Sequence, residues 1–310
     1  MMRGVVFVLI IISIVLGSCK QQEKNDLSIG VMASMDFVPI AVAQKKGFFD
    51  KYKVNVEIQK FYSANDRDAA FQSKNIEGTV IDYTGAILQK VGGIDLKITS
   101  TCNSSFCILT GNPSINTIED LKGKKLAVSR NTVIDFCMEA ALKVAQVDIE
   151  EVKKQEINKI PIRLEMMMNE QIDATALPDP FITIAESRGA RKIVCMDSLG
   201  YSTTGIIFNA SVIEEKERQV QAFYQAYNEA VMYIQSTPLD SIKTILVQDV
   251  GFPEDLIMKV QLPSYTLATI PDKKNITTTM EWLKEKNLIP ENFSTEGIID
   301  DRFVSRQINN

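Results

Sequence analysis

The sequence predicts an α/β protein with mostly parallel sheets, and three observations carry that expectation. Short apolar runs alternate with helical patterns along most of the chain, as in successive βαβ units. The length of 310 residues allows about two domains, each with its own core. One element also recurs: Phe71-Gln-Ser-Lys-Asn-Ile-Glu-Gly-Thr-Val-Ile-Asp82 overlays Met167-Met-Asn-Glu-Gln-Ile-Asp-Ala-Thr-Ala-Leu-Pro178, setting Ile76 on Ile172 and Thr79 on Thr175. Both stretches read as helix end, strand and loop, which suggests two similar α/β lobes. Open α/β sheets bind ligands beyond the carboxyl ends of their strands, so these loops are expected to face a shared cleft.

In chain order, strands are expected at Leu27–Met32, Val54–Phe61, Thr79–Tyr83, Leu96–Cys102, Phe106–Thr110, Leu126–Ser129, Ala174–Leu177, Lys192–Met196 and Gly205–Asn209. Each is a short apolar or alternating run bounded by polar or turn-forming residues. Helices are expected between them, at Pro39–Phe49, Asn65–Ser73, Thr84–Val91, Val133–Ala145, Ile162–Asn169 and Pro180–Arg188. From residue 215 the pattern becomes mainly helical. Val220, Phe223, Tyr227, Val231 and Ile234 are spaced by three or four and mark one buried face. Pro238 stops that helix. Leu239–Gln248, Pro253–Val260 and Lys274–Lys286 continue the helical tail.

Composition removes several kinds of chemistry. Apolar residues make up 45% and charged residues 24%, an ordinary globular balance. The chain contains no histidine, so a Ser-His-Asp or Cys-His nucleophile pair and any His-ligated metal or haem are excluded. With 34 basic against 39 acidic side chains the formal charge is −5. The pI near 5.1 argues against a nucleic-acid partner, which needs a basic face to neutralise phosphates.

The amino terminus reads as an address. Arg3 precedes an apolar run from Val5 to Leu16 that is short for a membrane-spanning helix but typical of a secretory signal. Leu16-Gly17-Ser18-Cys19 resembles the bacterial lipobox. That resemblance implies cleavage after residue 18 and diacylglycerol modification of Cys19, a lipid anchor to the membrane. Lys20–Asp26 is polar and reads as a tether, so residues 1–18 form the signal and 19–26 the link to the body. Cys102, Cys107, Cys137 and Cys195 remain. In an oxidising compartment they allow three pairings, and a Cys102–Cys107 bridge is conceivable, but four buried thiols fit the pattern as well. C-x4-C alone is a poor metal signature.

Several ordered motifs carry a family resemblance. Pro39-Ile-Ala-Val-Ala-Gln-Lys-Lys-Gly-Phe-Phe-Asp50, Val54-x-Val-Glu57, Ile118-Glu-Asp-Leu-Lys-Gly-Lys-Lys-Leu-Ala-Val128 and Asn169-Glu-Gln-Ile-Asp-Ala-Thr-Ala-Leu-Pro-Asp-Pro180 occur in that order. The set resembles the extracytoplasmic solute-binding proteins of ABC importers, in the branch serving nitrate, sulfonates, taurine and thiamine pyrimidine precursors. Glu170 departs from the pattern, where glycine is usual. The resemblance implies a type II periplasmic-binding-protein fold, two α/β lobes with a cleft between them. Residues 27–110 and 205–310 would form the first lobe and 111–204 the second, with crossings near Leu109–Pro113 and Ser202–Ile206. It also implies a monomer without cofactor or bound metal, outside the cytoplasm, whose partners are a small-molecule ligand, an ABC permease and its ATPase. A sensory receptor is a competing role. A pyrimidine-synthesis enzyme of this fold that consumes its own histidine is excluded by composition.

Candidate ligand-binding residues follow from the strand ends. Ser34, Asp36 and Phe37 follow the first strand, where Asp36 equally suits a helix cap. Tyr62 ends the second strand and offers a ring for stacking. Asp82, Tyr83 and Thr84 end the strand of the repeated element, a carboxylate and a phenol suited to an amine-bearing ring. Asn103 lies near the first crossing. Ser129, Arg130 and Asn131 precede the long helix of the second lobe, with an anion-ready helix start and a cation. Asp179 and Phe181 bring a further acid and ring. Asp36, Asp82 and Asp179 against one candidate arginine favour a thiamine-type pyrimidine precursor, or a similar amine-bearing heterocycle, with a sulfonate or taurine as competitor. Met166-Met-Met168 and Trp282 read as core packing.

Overall fold

The computed structural model of the chain describes residues 26–304. The signal, tether and Cys19 fall outside the described residues, except Asp26, which begins the first strand. Ten strands form two five-stranded sheets. In the first part of the chain β1 (Asp26–Met32), α1 (Val38–Lys45), α2 (Phe48–Lys51), β2 (Asn55–Phe61), α3 (Ala64–Gln72), β3 (Gly78–Asp82), α4 (Tyr83–Val91) and β4 (Leu96–Thr101) follow one another. The second part holds β5 (Phe106–Thr110), β6 (Lys125–Val128), α5 (Val133–Val144), β7 (Lys153–Glu156), α6 (Ile160–Met168), β8 (Ala174–Pro178), α7 (Phe181–Ser187) and β9 (Arg191–Cys195). The chain then returns through β10 (Thr204–Asn209) to α8 (Ala210–Glu215), α9 (Glu217–Ser236), α10 (Lys243–Ile245) and α11 (Lys273–Glu285).

The sheet orders are β2-β1-β3-β10-β4 and β7-β6-β8-β5-β9. In both, the fourth position is filled by an antiparallel strand that comes from the other side of a crossing. The first crossing therefore lies at residues 102–105, ahead of the expected 109–113, and places all of β5 in the second sheet. The second lies between β9 and β10, where Thr204 starts the return strand. The central strands β3 and β8 are buried along their whole length, as expected of parallel strands covered by helices on both faces.

The internal similarity extends to atomic detail. Lys74 and Glu170, paired in the overlay, both adopt left-handed backbone, with φ of 60° and 58°. That is the conformation for which glycine is favoured, so Glu170 keeps the turn despite its side chain. Thr79 and Thr175 each donate a hydroxyl hydrogen bond of 2.9 Å to the neighbouring parallel strand, at Gly30 and Ala127. Each lobe thus repeats one helix–turn–strand unit.

Contacts away from the crossings also join the lobes. Helix α11 of the first lobe packs on α5 of the second, where the Trp282 indole donates to Glu139 at 2.7 Å. The Phe136 ring meets Trp282 and Tyr201 edge-on. Lys154 and Lys286 both donate to Glu139 at 2.6 Å. At the opposite side the Ile160 amide donates to the Tyr62 carbonyl at 3.3 Å. The lobes are therefore closed on each other. In the helical tail, Val220, Phe223, Tyr227, Val231 and Ile234 all face the core, though Leu239–Gln248 is broken into short 3₁₀, α and π turns. Among the described residues no helix is long and apolar enough to cross a membrane.

Among the described residues one disulfide, Cys107–Cys195, links directly paired positions of β5 and β9. Cys102 and Cys137 are buried free thiols. Two of the four cysteines are therefore bridged rather than isolated, and Cys102 is not the partner of Cys107.

Candidate functional site

The strand ends of both lobes converge on a cavity of about 50 Å³ lined by residues of both, larger than a single water requires. Ser34, Asp36, Arg67, Asp82 and Thr204 line it from the first lobe, and Phe106, Ser129, Thr132, Asn158, Arg163 and Pro178 from the second. Local structure explains how each polar group arrives there. The β1–α1 loop presents Ser34 and Asp36 because Pro39 lies in the first turn of α1 and the chain must bend before it. On α3, Arg67 lies on the face of Ala70 and Phe71, three and four positions on. On α6, Arg163 shares the buried face of Ile160, Leu164 and Met167.

The charges in the cavity differ in how they are compensated. Asp82 caps α4 by accepting the Gly85 amide at 2.9 Å and also accepts the Thr84 hydroxyl. Its other oxygen takes Arg67 Nη2 at 3.1 Å. Burial would raise the Asp82 carboxyl, but Arg67 and these hydrogen bonds together hold it below the ordinary carboxylate value. Arg67 pairs with Asp68 as well, at 2.7 Å. Burial opposes its charge, and the two carboxylates more than offset that effect.

Asp36 and Arg163 lack such partners. Asp36 is 3% exposed, and among the described residues its Oδ1 has no hydrogen-bond partner. Burial pushes its carboxyl up to about 7, against the opposing influence of the neighbouring Thr204 hydroxyl. Arg163 is 1% exposed and donates through Nη1 only to the carbonyls of Ile157 and Asn158, at 2.9 and 3.1 Å. Its Nε is unpartnered, and burial alone brings its guanidinium down to about 10. An unpaired buried cation and an under-bonded carboxyl from opposite lobes thus share one cavity.

Of the residues expected from sequence, the structure brings Ser34, Asp36, Asp82 and Ser129 to this cavity. Phe37 and Phe181 are packed in the cores of their lobes. Tyr83 is buried off the cavity, its hydroxyl 3.3 Å from Thr101 and its phenol pushed upward by burial. Thr84 is spent on Asp82. Tyr62 is 52% exposed and edges an outer groove with Ile162. Arg130 points outward beside Glu156 at 3.6 Å. The Asn131 amide donates to Asp135 and the Ile134 amide to Thr132, so these two amides at the start of α5 are taken up by its own side chains. Asn103 and Asp179 face a second, open depression of about 510 Å³ behind the crossings. There Asn103 accepts from Thr266, and Asp179 accepts the Thr183 amide and hydroxyl.

The acid-rich cavity expected from sequence is therefore corrected. Asp82 is neutralised by Arg67, Asp179 lies elsewhere, and two arginines take part instead of Arg130. Sequence reasoning missed Arg67, Asn158, Arg163 and Thr204. The signal for Arg163 was available: Ile160, Arg163, Leu164 and Met167 follow the i, i+3, i+4, i+7 spacing of a buried helix face, and a charge there needs a function or a partner. Among the described residues no group of three or more His, Cys, Asp or Glu side chains could hold a metal ion.

No curated protein matches the chain. A ligand-binding component of an ABC-type import system from Staphylococcus aureus, solved with zinc bound, shares the fold with a TM-score of 0.76 and 14% identity, over 89% of this chain and 96% of its own. The periplasmic aliphatic sulphonate binding protein SsuA from Escherichia coli superposes with a TM-score of 0.73 and 18% identity, over 86% and 94%. The desulfurization enzyme DSZB gives a TM-score of 0.67 and 11% identity, over 90% and 97%. At these identities the likeness is one of fold, the two-lobed periplasmic-binding-protein architecture. The sequence itself matches the NMT1/THI5-like family over residues 34–241, about two thirds of its 310 positions. The chain belongs to the NMT1/THI5-like family.

Proposed function

We propose that the protein is the solute-binding component of an ABC import system, anchored outside the cytoplasm by a lipid on Cys19, capturing a small organic anion between its lobes. The observation that carries the reading is Arg163, a cation at 1% exposure with no carboxylate partner among the described residues, in a cavity lined by both lobes. A ligand anion supplies the missing counter-charge, and Asp36 on the facing wall accepts a donor from the same molecule. An aminosulfonate such as taurine meets both demands. Closure then buries the ligand and creates the form delivered to a permease and its ATPase.

An aminopyrimidine is the second reading, supported by Asp36. A carboxyl titrating near neutrality can exchange two hydrogen bonds with the ring nitrogen and amine of such a ring. It leaves Arg163 to a hydroxyl or a phosphate on the ring's substituent. Titration of the purified protein with taurine, short alkanesulfonates, aminopyrimidines and nitrate, read by calorimetry and thermal shift, tests both. Taurine or an alkanesulfonate binding at micromolar or better affinity supports the first reading, and aminopyrimidine binding alone replaces it with the second. Turnover of any bound compound replaces binding by catalysis, which the fold also accommodates. A Cys19→Ala variant that still labels with fatty acid rules out the anchor.

A further inference from the structure

Asp36 and Arg163 bring an under-bonded carboxyl and an unpaired guanidinium to the cavity from opposite lobes. The surroundings of Asp36 supply it with no counter-charge. Near it lie the Cys102 thiol after β4 and the phenols of Tyr83 on α4, Tyr227 on α9 and Tyr265 in the tail, each kept protonated mainly by burial. Tyr265 also stands near Asp179, whose own carboxyl burial raises. Strand β10 adds the Thr204 hydroxyl. Lys60 of β2 lies over the adjoining Phe37 ring, 5.4 Å from its centre, and pairs with Asp249 at 3.7 Å. Arg67 is taken by Asp82 and Asp68, and among the described residues no ion pair joins Asp36 to Arg163. A buried carboxyl without a cation favours its neutral form, and a cation brought beside it favours the charged one.

Resting on the anion-binding reading above, we propose that Asp36 separates ammonium-bearing sulfonates from plain ones by proton exchange: it releases a proton when the first binds and takes one up when the second binds. With its sulfonate at Arg163, taurine carries an ammonium to the facing wall. There the Asp36 carboxyl becomes a carboxylate, and its proton passes to the buffer. Ethanesulfonate has the same anion and no ammonium. It adds negative charge to the cavity and leaves Oδ1 without a donor, so Asp36 must be neutral in that complex. A carboxyl already ionised then takes a proton from the buffer. The free carboxyl titrates near 7, so taurine affinity rises with pH up to that value and ethanesulfonate affinity falls beyond it. A chain without histidine thereby gains a ligand preference that depends on pH.

The test is calorimetric titration of the purified protein with taurine and with ethanesulfonate, from about pH 6 to about pH 8. Over that range taurine is expected to gain about tenfold in affinity and ethanesulfonate to lose about tenfold. Asp36→Asn, neutral throughout, is expected to remove both trends. Repeating the titrations at about pH 7 in two buffers of different ionisation heat counts the protons, with about half a proton released by taurine and about half taken up with ethanesulfonate. That count decides alone if Asp36→Asn fails to fold. Affinities that move in the same direction, that stay constant, or that keep their trends in Asp36→Asn overturn the proposal, as does one ligand that never binds while the other does. Two sulfonates that bind without these trends leave the anion-binding reading standing. Failure of both to bind at any pH overturns that reading and the proposal with it.

Discussion

The backbone amide of Ile160 donates to the carbonyl of Tyr62, 3.3 Å away, and so ties the start of α6 in one lobe to the end of β2 in the other. Arg163 lies one turn further along the same helix. The hydrogen bond that marks the shut cleft and the cation inside it therefore move as one rigid element. Rigid coupling of this kind lets a ligand deep in a cavity set the position of a lobe.

Asp36 should make folding stability depend on pH. Its carboxyl titrates near 7 in the folded protein against 3.8 ordinarily. Below the lower value both folded and unfolded forms are protonated. Between the two values the folded form holds a proton that the unfolded form has lost, so stability falls as pH rises, until the loss is complete above about 7. The loss is at most about 4 kcal/mol. Thermal unfolding of the unliganded protein from about pH 5 to about pH 8 should show a declining midpoint that Asp36→Asn flattens. Parallel declines in the two proteins would remove Asp36 as the cause.

Asp82 and Tyr83 adjoin in sequence but should respond differently to substitution. Asp82→Ala leaves Arg67 buried with one carboxylate in place of two and uncaps α4, a loss of about 3 kcal/mol in urea unfolding. Tyr83→Phe removes one 3.3 Å hydrogen bond away from the cavity, costing about 1 kcal/mol or less. Ligand affinity should stay within about twofold for Tyr83→Phe. A tenfold loss there would return the phenol to the ligand.

The Cys107–Cys195 bridge spans a sequence separation of 88 residues, nearly the whole second lobe. Closing so long a loop restricts the unfolded chain, and its removal should cost about 2–4 kcal/mol. Urea unfolding with and without reductant, compared with a Cys107→Ser, Cys195→Ser double variant, measures this. Identical midpoints for the oxidised and reduced protein would show that the bridge adds nothing.

Much of the fold was legible because its signals are local. Strand Phe106–Thr110 has the bounds expected of it, and the five-residue face of α9 is buried as its spacing predicts. Strand β7 was missed because Lys153-Lys-Gln-Glu156 is a charged outer strand with no apolar alternation to display. The first crossing was placed late because β5 looks like any buried strand, and only its pairing with β8 and β9 assigns it to the second sheet. In the site, position in the chain was a good guide and partner choice was not. Ser34, Asp36, Asp82 and Ser129 were found from strand ends. That Arg67 cancels Asp82, while Arg163 stays unpaired, depends on contacts between helices and strands that sequence spacing does not encode.

Strand β10 lies between β3 and β4 in the first sheet, although it follows the entire second lobe in the chain. The second sheet is contiguous from β5 to β9 and has all its strands once residue 195 has emerged during synthesis or export. Until Asn209 follows, β3 and β4 face each other across a missing neighbour, with unpaired backbone on both. Such open edges invite pairing with other chains. The lobe that begins first is thus finished last, and the nascent protein is most vulnerable to misassembly in the interval between those two events.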